Sequence, residues 1–228
     1  MAASLLLAVT GFNPDGWYGS QMRYTVARGQ QQSIVLADGS QMDLNSNTDV
    51  KVHFSRWRRS VELLRGEAFF QVAHQSQREF SVTAANGRIV DIGTAFDVYV
   101  QADKVLVAVQ QGKVRVDAKN SRELKENQSL AYNSKGDFVS VATASAENLT
   151  AWRQGQLVFN SRRLDEVLAE LSRYHHQQVR LDSPALGKLK VSGRFRINQL
   201  DSALNTIAAT LPVIIQQPDA DTVVLKSR

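Results

Sequence analysis

Cysteine is missing from this 228-residue chain. With it go disulfide frameworks, thiolate zinc sites, iron–sulfur clusters and cysteine nucleophiles, while the redox compartment stays open. Proline occurs only 4 times, which excludes collagen-like and proline-rich linker classes. Apolar runs are short. The stretch Leu5-Leu6-Leu7-Ala8-Val9 falls well below the roughly 20 residues a membrane-spanning helix needs, and no Lys or Arg precedes it to make a signal-peptide n-region. Neither sign of charge dominates, since 27 Lys+Arg against 22 Asp+Glu leaves +5. What is present, 43% hydrophobic and 21% charged residues, describes an ordinary globular chain long enough for one large or two modest domains.

Alternation with period two runs from Tyr24 to Val141. Ile34 and Leu36 alternate before the Asp38-Gly39 turn, and Met42 and Leu44 follow it. Further stripes are Val50, Val52 and Phe54; Phe80 and Val82; Phe96, Val98 and Val100; Val105, Val107 and Val109; and Val114 and Val116. Such stripes are strands with one buried face. Turns fall at Asp38-Gly39, Gly66, Asn86-Gly87, Gly93, Gly112 and Lys135-Gly136. The expectation is an all-β domain over residues 21–143, either a sandwich or a β-solenoid-like stack, because both bury alternate residues. Residues 1–20 are expected to be a residual membrane-helix end and linker, or a terminus packed on the body.

Ala144-Ser-Ala-Glu-Asn148 is small and polar, as a linker is, and leads to Trp152. An internal repeat follows. Its first copy reads Gly155-x-Leu157-x-Phe159-Asn160, then Leu164, Val167, Leu168 and Leu171; its second reads Gly193-x-Phe195-x-Ile197-Asn198, then Leu200, Ala203, Leu204 and Ile207. Each copy is a short strand and an amphipathic helix, expected at 164–174 and 200–209. With strands at 178–181, 212–216 and 221–225, residues 150–228 read as a βαβ unit used twice, a small α+β domain. The predicted fold class is therefore mainly β plus α+β.

Chemistry is sparse. No nucleophile elbow, phosphate loop, His-Glu-x-x-His or dinucleotide fingerprint occurs. His53 and His74 stand apart. His175 and His176 follow Tyr174 at a helix end, where the dipole favours imidazolium, and adjacent positions on a helix make a poor metal pair. Asp38, Asp43 and Asp49 read as a turn residue and a solvated strand face. No catalytic residue, cofactor site or metal site is expected. Arg56-Trp57-Arg58-Arg59 joins cations to an aromatic ring, a feature of nucleic-acid surfaces, but it is local. Residues 1–150 carry 16 basic against 15 acidic residues and residues 151–228 carry 11 against 7, so the surplus lies in the repeat domain. There Arg162, Arg163, Arg194 and Arg196 are expected near the strand-to-helix junctions of the two copies, steering an acidic protein partner, with Tyr174 beside them. No nucleic-acid partner is expected. A second reading makes the β domain a glycan-binding envelope module with Trp57, Trp17 or Tyr132 as stacking platforms.

Leu36-Ala37-Asp38-Gly39-Ser40, Gly66-Glu67-Ala68-Phe69-Phe70-Gln71-Val72, Gly93-Thr94-Ala95-Phe96-Asp97-Val98 and Gly112-Lys113-Val114 occur in the order seen in FecR-family regulators. Ala151-Trp152-Arg153-Gln154-Gly155, Leu157-Val158-Phe159, Arg173-Tyr174 and Val191-Ser192-Gly193-x-Phe195 extend the resemblance over nearly the whole chain. Asp38, Gly39, Gly66, Gly93 and Trp152 have structural roles on this reading: turns, a corner without a side chain, and an anchor seating the second domain. The resemblance implies a periplasmic signal receiver tethered to the inner membrane, with a secretin/TonB short N-terminal-like repeat domain. Its implied partner is the N-terminal signalling domain of a TonB-dependent outer-membrane transporter of the ferric-siderophore type. An extracytoplasmic-function sigma factor is implied only through a cytoplasmic segment that this sequence does not contain.

Overall fold

The structure, a computed structural model, describes residues 20–75, 77–140 and 145–228. The apolar run at 5–9, Trp17 and Ala144 lie outside the described residues. Two compact units divide at Thr150 and Ala151.

The first unit is built from strands β1 (Ser20–Thr25), β2 (Gln32–Val35), β3 (Gln41–Leu44), β4 (Asp49–Phe54), β5 (Arg59–Gln71), β6 (Phe80–Ala84), β7 (Gly87–Asp91), β8 (Ala95–Val100), β9 (Lys104–Gln111), β10 (Lys113–Asp117), β11 (Ser121–Lys125), β12 (Ser129–Asn133) and β13 (Phe138–Val139). A short helix, α1 (Ala146–Leu149), follows, its first turn closed by Ser145 Oγ accepting from the Asn148 amide. The expected linker is thus already helical from Ala146.

All the strands belong to one 13-stranded sheet that curls on itself at β5. The first half of β5 pairs with β4 and, in parallel, with β6. Its second half pairs with β3 and β8. One leaf therefore carries β1, β4, β6, β7, β10 and β11, and the other β2, β3, β8, β9, β12 and β13. A single core fills the space between them. Val52, Val61, Phe80, Val82, Ile89 and Val114 of the first leaf meet Met42, Phe70, Phe96, Val98, Val107 and Tyr132 of the second. Phe70 and Phe80 pack edge to face across the leaves at 5.8 Å. Tyr132 donates to the Ala84 carbonyl at 2.8 Å, and burial pushes its phenol pKa up. A solenoid needs parallel coils, whereas every pairing here except β5 with β6 is antiparallel. The sandwich alternative is the one adopted.

Crossing between leaves requires a bend in β5, and Gly66 supplies it at φ +83. A Cβ there would lie 2.3 Å from Thr48 Oγ1 and 2.5 Å from Thr48 Cα. On either side of that approach, Thr48 Oγ1 accepts from the Glu67 amide at 3.0 Å and donates to the Glu67 carbonyl at 3.1 Å. Asn45 Nδ2 donates to the buried Glu67 carboxylate at 2.6 Å.

A second constraint sits at the start of β5. Asp38 forms the expected turn, with Gly39 N donating to the Leu36 carbonyl at 2.9 Å, but its side chain does more. It accepts from Ser40 N at 3.0 Å, Ser40 Oγ at 2.8 Å and Arg59 Nη1 at 2.7 Å. Arg59 belongs by sequence to the local basic cluster Arg56-Trp57-Arg58-Arg59, yet its side chain is 2% exposed and that of Asp38 1%. Its remaining donors reach the Ala73 and Arg78 carbonyls at 2.7 to 3.1 Å. A buried guanidinium is tolerable because every charge-bearing edge has a partner.

The second unit starts with a 3-10 turn at Ala151–Gln154, followed by β14 (Gln156–Arg163), α2 (Leu164–Ser172), β15 (Gln178–Leu181), β16 (Lys190–Arg196), α3 (Leu200–Thr210), β17 (Val213–Gln216) and β18 (Thr222–Ser227). The repeat appears as expected. The apolar stripes Leu164, Val167, Leu168, Leu171 and Leu200, Ala203, Leu204, Ile207 are all buried in one core. β14 and β16 pair as an antiparallel ribbon, while β15, β18 and β17 form a small mixed sheet. Trp152 is buried.

Two outcomes follow for stability. Gly66→Ala is expected to lose about 3 kcal/mol in urea unfolding, from left-handed strain plus the Thr48 clash; a loss below about 0.5 kcal/mol would contradict the crossing argument. Asp38→Ala strands the Arg59 charge and should cost about 3 kcal/mol, and Asp38→Ala combined with Arg59→Met should be more stable than Asp38→Ala alone.

Candidate functional site

The surplus positive charge of the second unit is distributed unevenly. α2 lacks a side-chain N-cap but places Asp165 and Glu166 in its first turn, where carboxylates favour the exposed amides of the helix start. Arg162 and Arg163 stand immediately before. Arg162 Nε donates to Glu166 at 2.6 Å, and Arg163 grips Asp165 through Nε and Nη2 at 3.0 and 2.5 Å. The Arg163 guanidinium holds the Asp165 carboxyl below the usual carboxylate range, and Asp165 in turn raises Arg163. These two arginines are neutralised locally.

Arg194 and Arg196 are placed differently. Pairing puts Leu157 opposite Phe195, both buried, so neighbouring positions face out, with Val158 opposite Arg194 and Gln156 opposite Arg196. The four arginines do not occupy equivalent places in the two copies: Arg194 and Arg196 flank Phe195, the counterpart of Leu157, whereas Arg162 and Arg163 follow Asn160, beyond a β14 bulge between Phe159 and Arg162 where Ser161 has φ +47. Arg194 donates to the neutral Gln156 amide at 2.8 Å. Among the described residues, no carboxylate pairs with Arg194 or Arg196, nor with Lys188 or Lys190. All four are exposed, and Lys190, Ser192, Arg194 and Arg196 alternate along one face of β16. The sequence reading omits Lys188 and Lys190: the string Lys-x-Ser-x-Arg-x-Arg puts Lys190 on the same strand face as the arginines, whereas Lys188 ends the 3-10 turn before β16. The ribbon contains only β14 and β16, so β16 carries this stripe on a strand with an unpaired edge among the described residues.

Tyr174 is placed away from that surface. It is 7% exposed and belongs to the core beneath the helices, with the Arg173 guanidinium 5.7 Å above its ring. His175 also differs from the expectation of a helix-end imidazolium. α2 ends at Ser172, and the His175 Nε2 is buried without a partner among the described residues. Desolvation lowers its pKa, against smaller raising contributions from the Ile197 backbone and Asp201. His53, His74 and His176 are exposed. Among the described residues no three His, Asp or Glu side chains gather as a metal site. No described helix is long and apolar enough to cross a membrane.

The stacking platforms expected in the β unit do not assemble as a set. Tyr132 is fully buried, Trp17 lies outside the described residues, and Trp57 alone is exposed, at 65%.

The FecR protein model matches residues 22–115, in the first unit, and the FecR, C-terminal model matches residues 156–225, in the repeat unit. The chain therefore belongs to the FecR family, which is a family of signalling regulators and not an enzyme class. Two crystal structures of a candidate anti-sigma factor from Parabacteroides distasonis ATCC 8503 are similar, each at 27% identity and TM-score 0.80, covering 91% of this chain and 99% of that one. Comparison with curated proteins gives no match.

Neutral His175 is favoured in the folded state, so the unfolded chain takes up a proton first as pH falls. The His175 contribution to stability is complete above about pH 6.5 and declines below it. The urea midpoint should therefore drop between about pH 7.5 and 5.5, and His175→Gln should flatten that slope. An unchanged slope in the variant would show that the buried imidazole does not govern it.

Proposed function

We propose that this chain is the periplasmic signal-receiving part of a FecR-like regulator of an extracytoplasmic-function sigma factor, tethered to the inner membrane in its full form. Its partner on this reading is the N-terminal signalling module of a TonB-dependent outer-membrane transporter of the ferric-siderophore type. The sigma factor would be held by a separate cytoplasmic segment. The observation that carries the reading is the uncompensated stripe of Lys190, Arg194 and Arg196 on β16, with Lys188 in the short turn before it. An acidic module approaching this face is steered by long-range attraction, and the unpaired strand edge offers backbone hydrogen bonds for strand addition. Arg162 and Arg163 contribute less to steering, because Glu166 and Asp165 cancel their charge nearby. Tyr174 is buried in the core and is not part of this surface.

Binding of the full chain to the isolated transporter module, measured by calorimetry, tests this. Arg194→Glu with Arg196→Glu should weaken affinity by at least about tenfold, mainly through slower association, and the wild-type affinity should fall as salt rises. Arg162→Gln should change it by less than about threefold. No binding at high micromolar concentration by a folded chain would overturn the proposal.

A further inference from the structure

One end of the β unit holds a surface cleft of about 670 Å³ lined by Arg56, Trp57, Gln75, Gln77 and Arg78. That volume lies within the range of small-molecule sites, roughly 300 to 1,000 Å³. Its walls are held in place. The turn bearing Trp57 is fixed by Ser55 Oγ, which accepts from the Trp57 and Arg58 amides, each at 3.2 Å. Arg78 donates through Nε and Nη2 to Gln75 Oε1 at 3.1 and 2.7 Å, and through Nη1 to the Ser55 carbonyl at 3.1 Å. Gln75 Nε2 is itself tied to the Asp38 carbonyl at 3.3 Å. Beneath lies the buried Arg59, four of whose N–H groups are engaged by Asp38, Ala73 and Arg78.

Three properties of the cleft select its ligand. Trp57 is a large indole, 65% exposed although the Arg56 guanidinium lies over its ring at 5.5 Å. Such a face packs against the C–H side of a sugar ring. Arg78 uses three of the five N–H groups of a guanidinium, which leaves two for an acceptor in the cleft. No carboxylate among the described residues pairs with Arg56 or Arg78, since Glu79 is engaged by Arg88 and Asp38 by Arg59, so the two cleft cations are without a carboxylate partner. Gln75 and Gln77 supply amides of the kind that bond to hydroxyls.

We propose that this cleft binds a carboxylate-bearing saccharide, its ring stacked on Trp57 and its carboxylate on the guanidinium of Arg78. A nucleic acid would also meet an aromatic face and cations here. The β unit, however, has 16 basic and 15 acidic residues over positions 1–150, without the surplus a phosphate backbone rewards. The inference is independent of the transporter-binding proposal, since the cleft residues all belong to the first unit.

The test titrates the full chain with trigalacturonate, with its uncharged counterpart trigalactose, and with a short single-stranded DNA, following the Trp57 indole by NMR and heat by calorimetry. Trigalacturonate should shift the Trp57 indole resonance and bind at least about tenfold more tightly than trigalactose. Trp57→Ala, an exposed position whose loss should leave the melting temperature unchanged, should weaken binding by at least about tenfold, and Arg78→Gln should remove the preference for the acid. If Arg78→Gln fails to fold, Arg56→Gln with Arg58→Gln should reduce the preference by about threefold or more. Failure of trigalacturonate to shift Trp57 at about 10 mM, undiminished binding by Trp57→Ala, or tighter binding of DNA than of the acidic sugar would each overturn the proposal.

Discussion

At Gly66 the backbone of β5 leaves one leaf of the sandwich and joins the other, with Thr48 so close that a methyl group would stand 2.3 Å from its hydroxyl. Strands on both sides of the core take their register from this single strand. β4 and β6 are set by its first half, and β3 and β8 by its second. A side chain at position 66 would push Thr48 away and cut its paired hydrogen bonds to Glu67, so both leaves would lose their common reference. The core then follows from hydrophobic burial, because closing the leaves removes the inward rows of Val, Leu and Phe from water together.

Charge is handled in three ways. Arg59 and Asp38 are withdrawn from solvent and hydrogen-bonded to each other and to neighbouring loops, so they hold those loops together. Arg162 and Arg163 sit on helix-start carboxylates, and little of their field extends outward. The β16 stripe and the Trp57 cleft keep cations without carboxylate partners among the described residues, and these are the places where an acidic partner gains most. A count of arginines does not separate these cases, because each depends on what folding brings alongside.

Much of the fold was legible beforehand. The stripe Leu164, Val167, Leu168, Leu171 could be placed on a helix face because helix periodicity is a local property, and the alternation of Val105, Val107 and Val109 identified β9 for the same reason. The site was less legible. Arg59 looked like its neighbours Arg56 and Arg58, and only Asp38, 21 residues away, made it a core residue. Tyr174, expected beside the arginines of the partner surface, is a core residue. Lys190 is readable by alternation along β16, whereas Lys188 belongs to the 3-10 turn before the strand.

Strand and helix content, the repeat, the turns at glycine and the family are all carried by residue order, since each depends on neighbours within a few positions or on ordered motifs. The choice of a sandwich over a solenoid, the burial of one arginine among three, the cancellation of Arg162 and Arg163, and the opening of the Trp57 cleft were decided by the tertiary structure. Those outcomes rest on contacts between residues far apart in the chain, where desolvation and pairing are set by whichever groups the fold brings together.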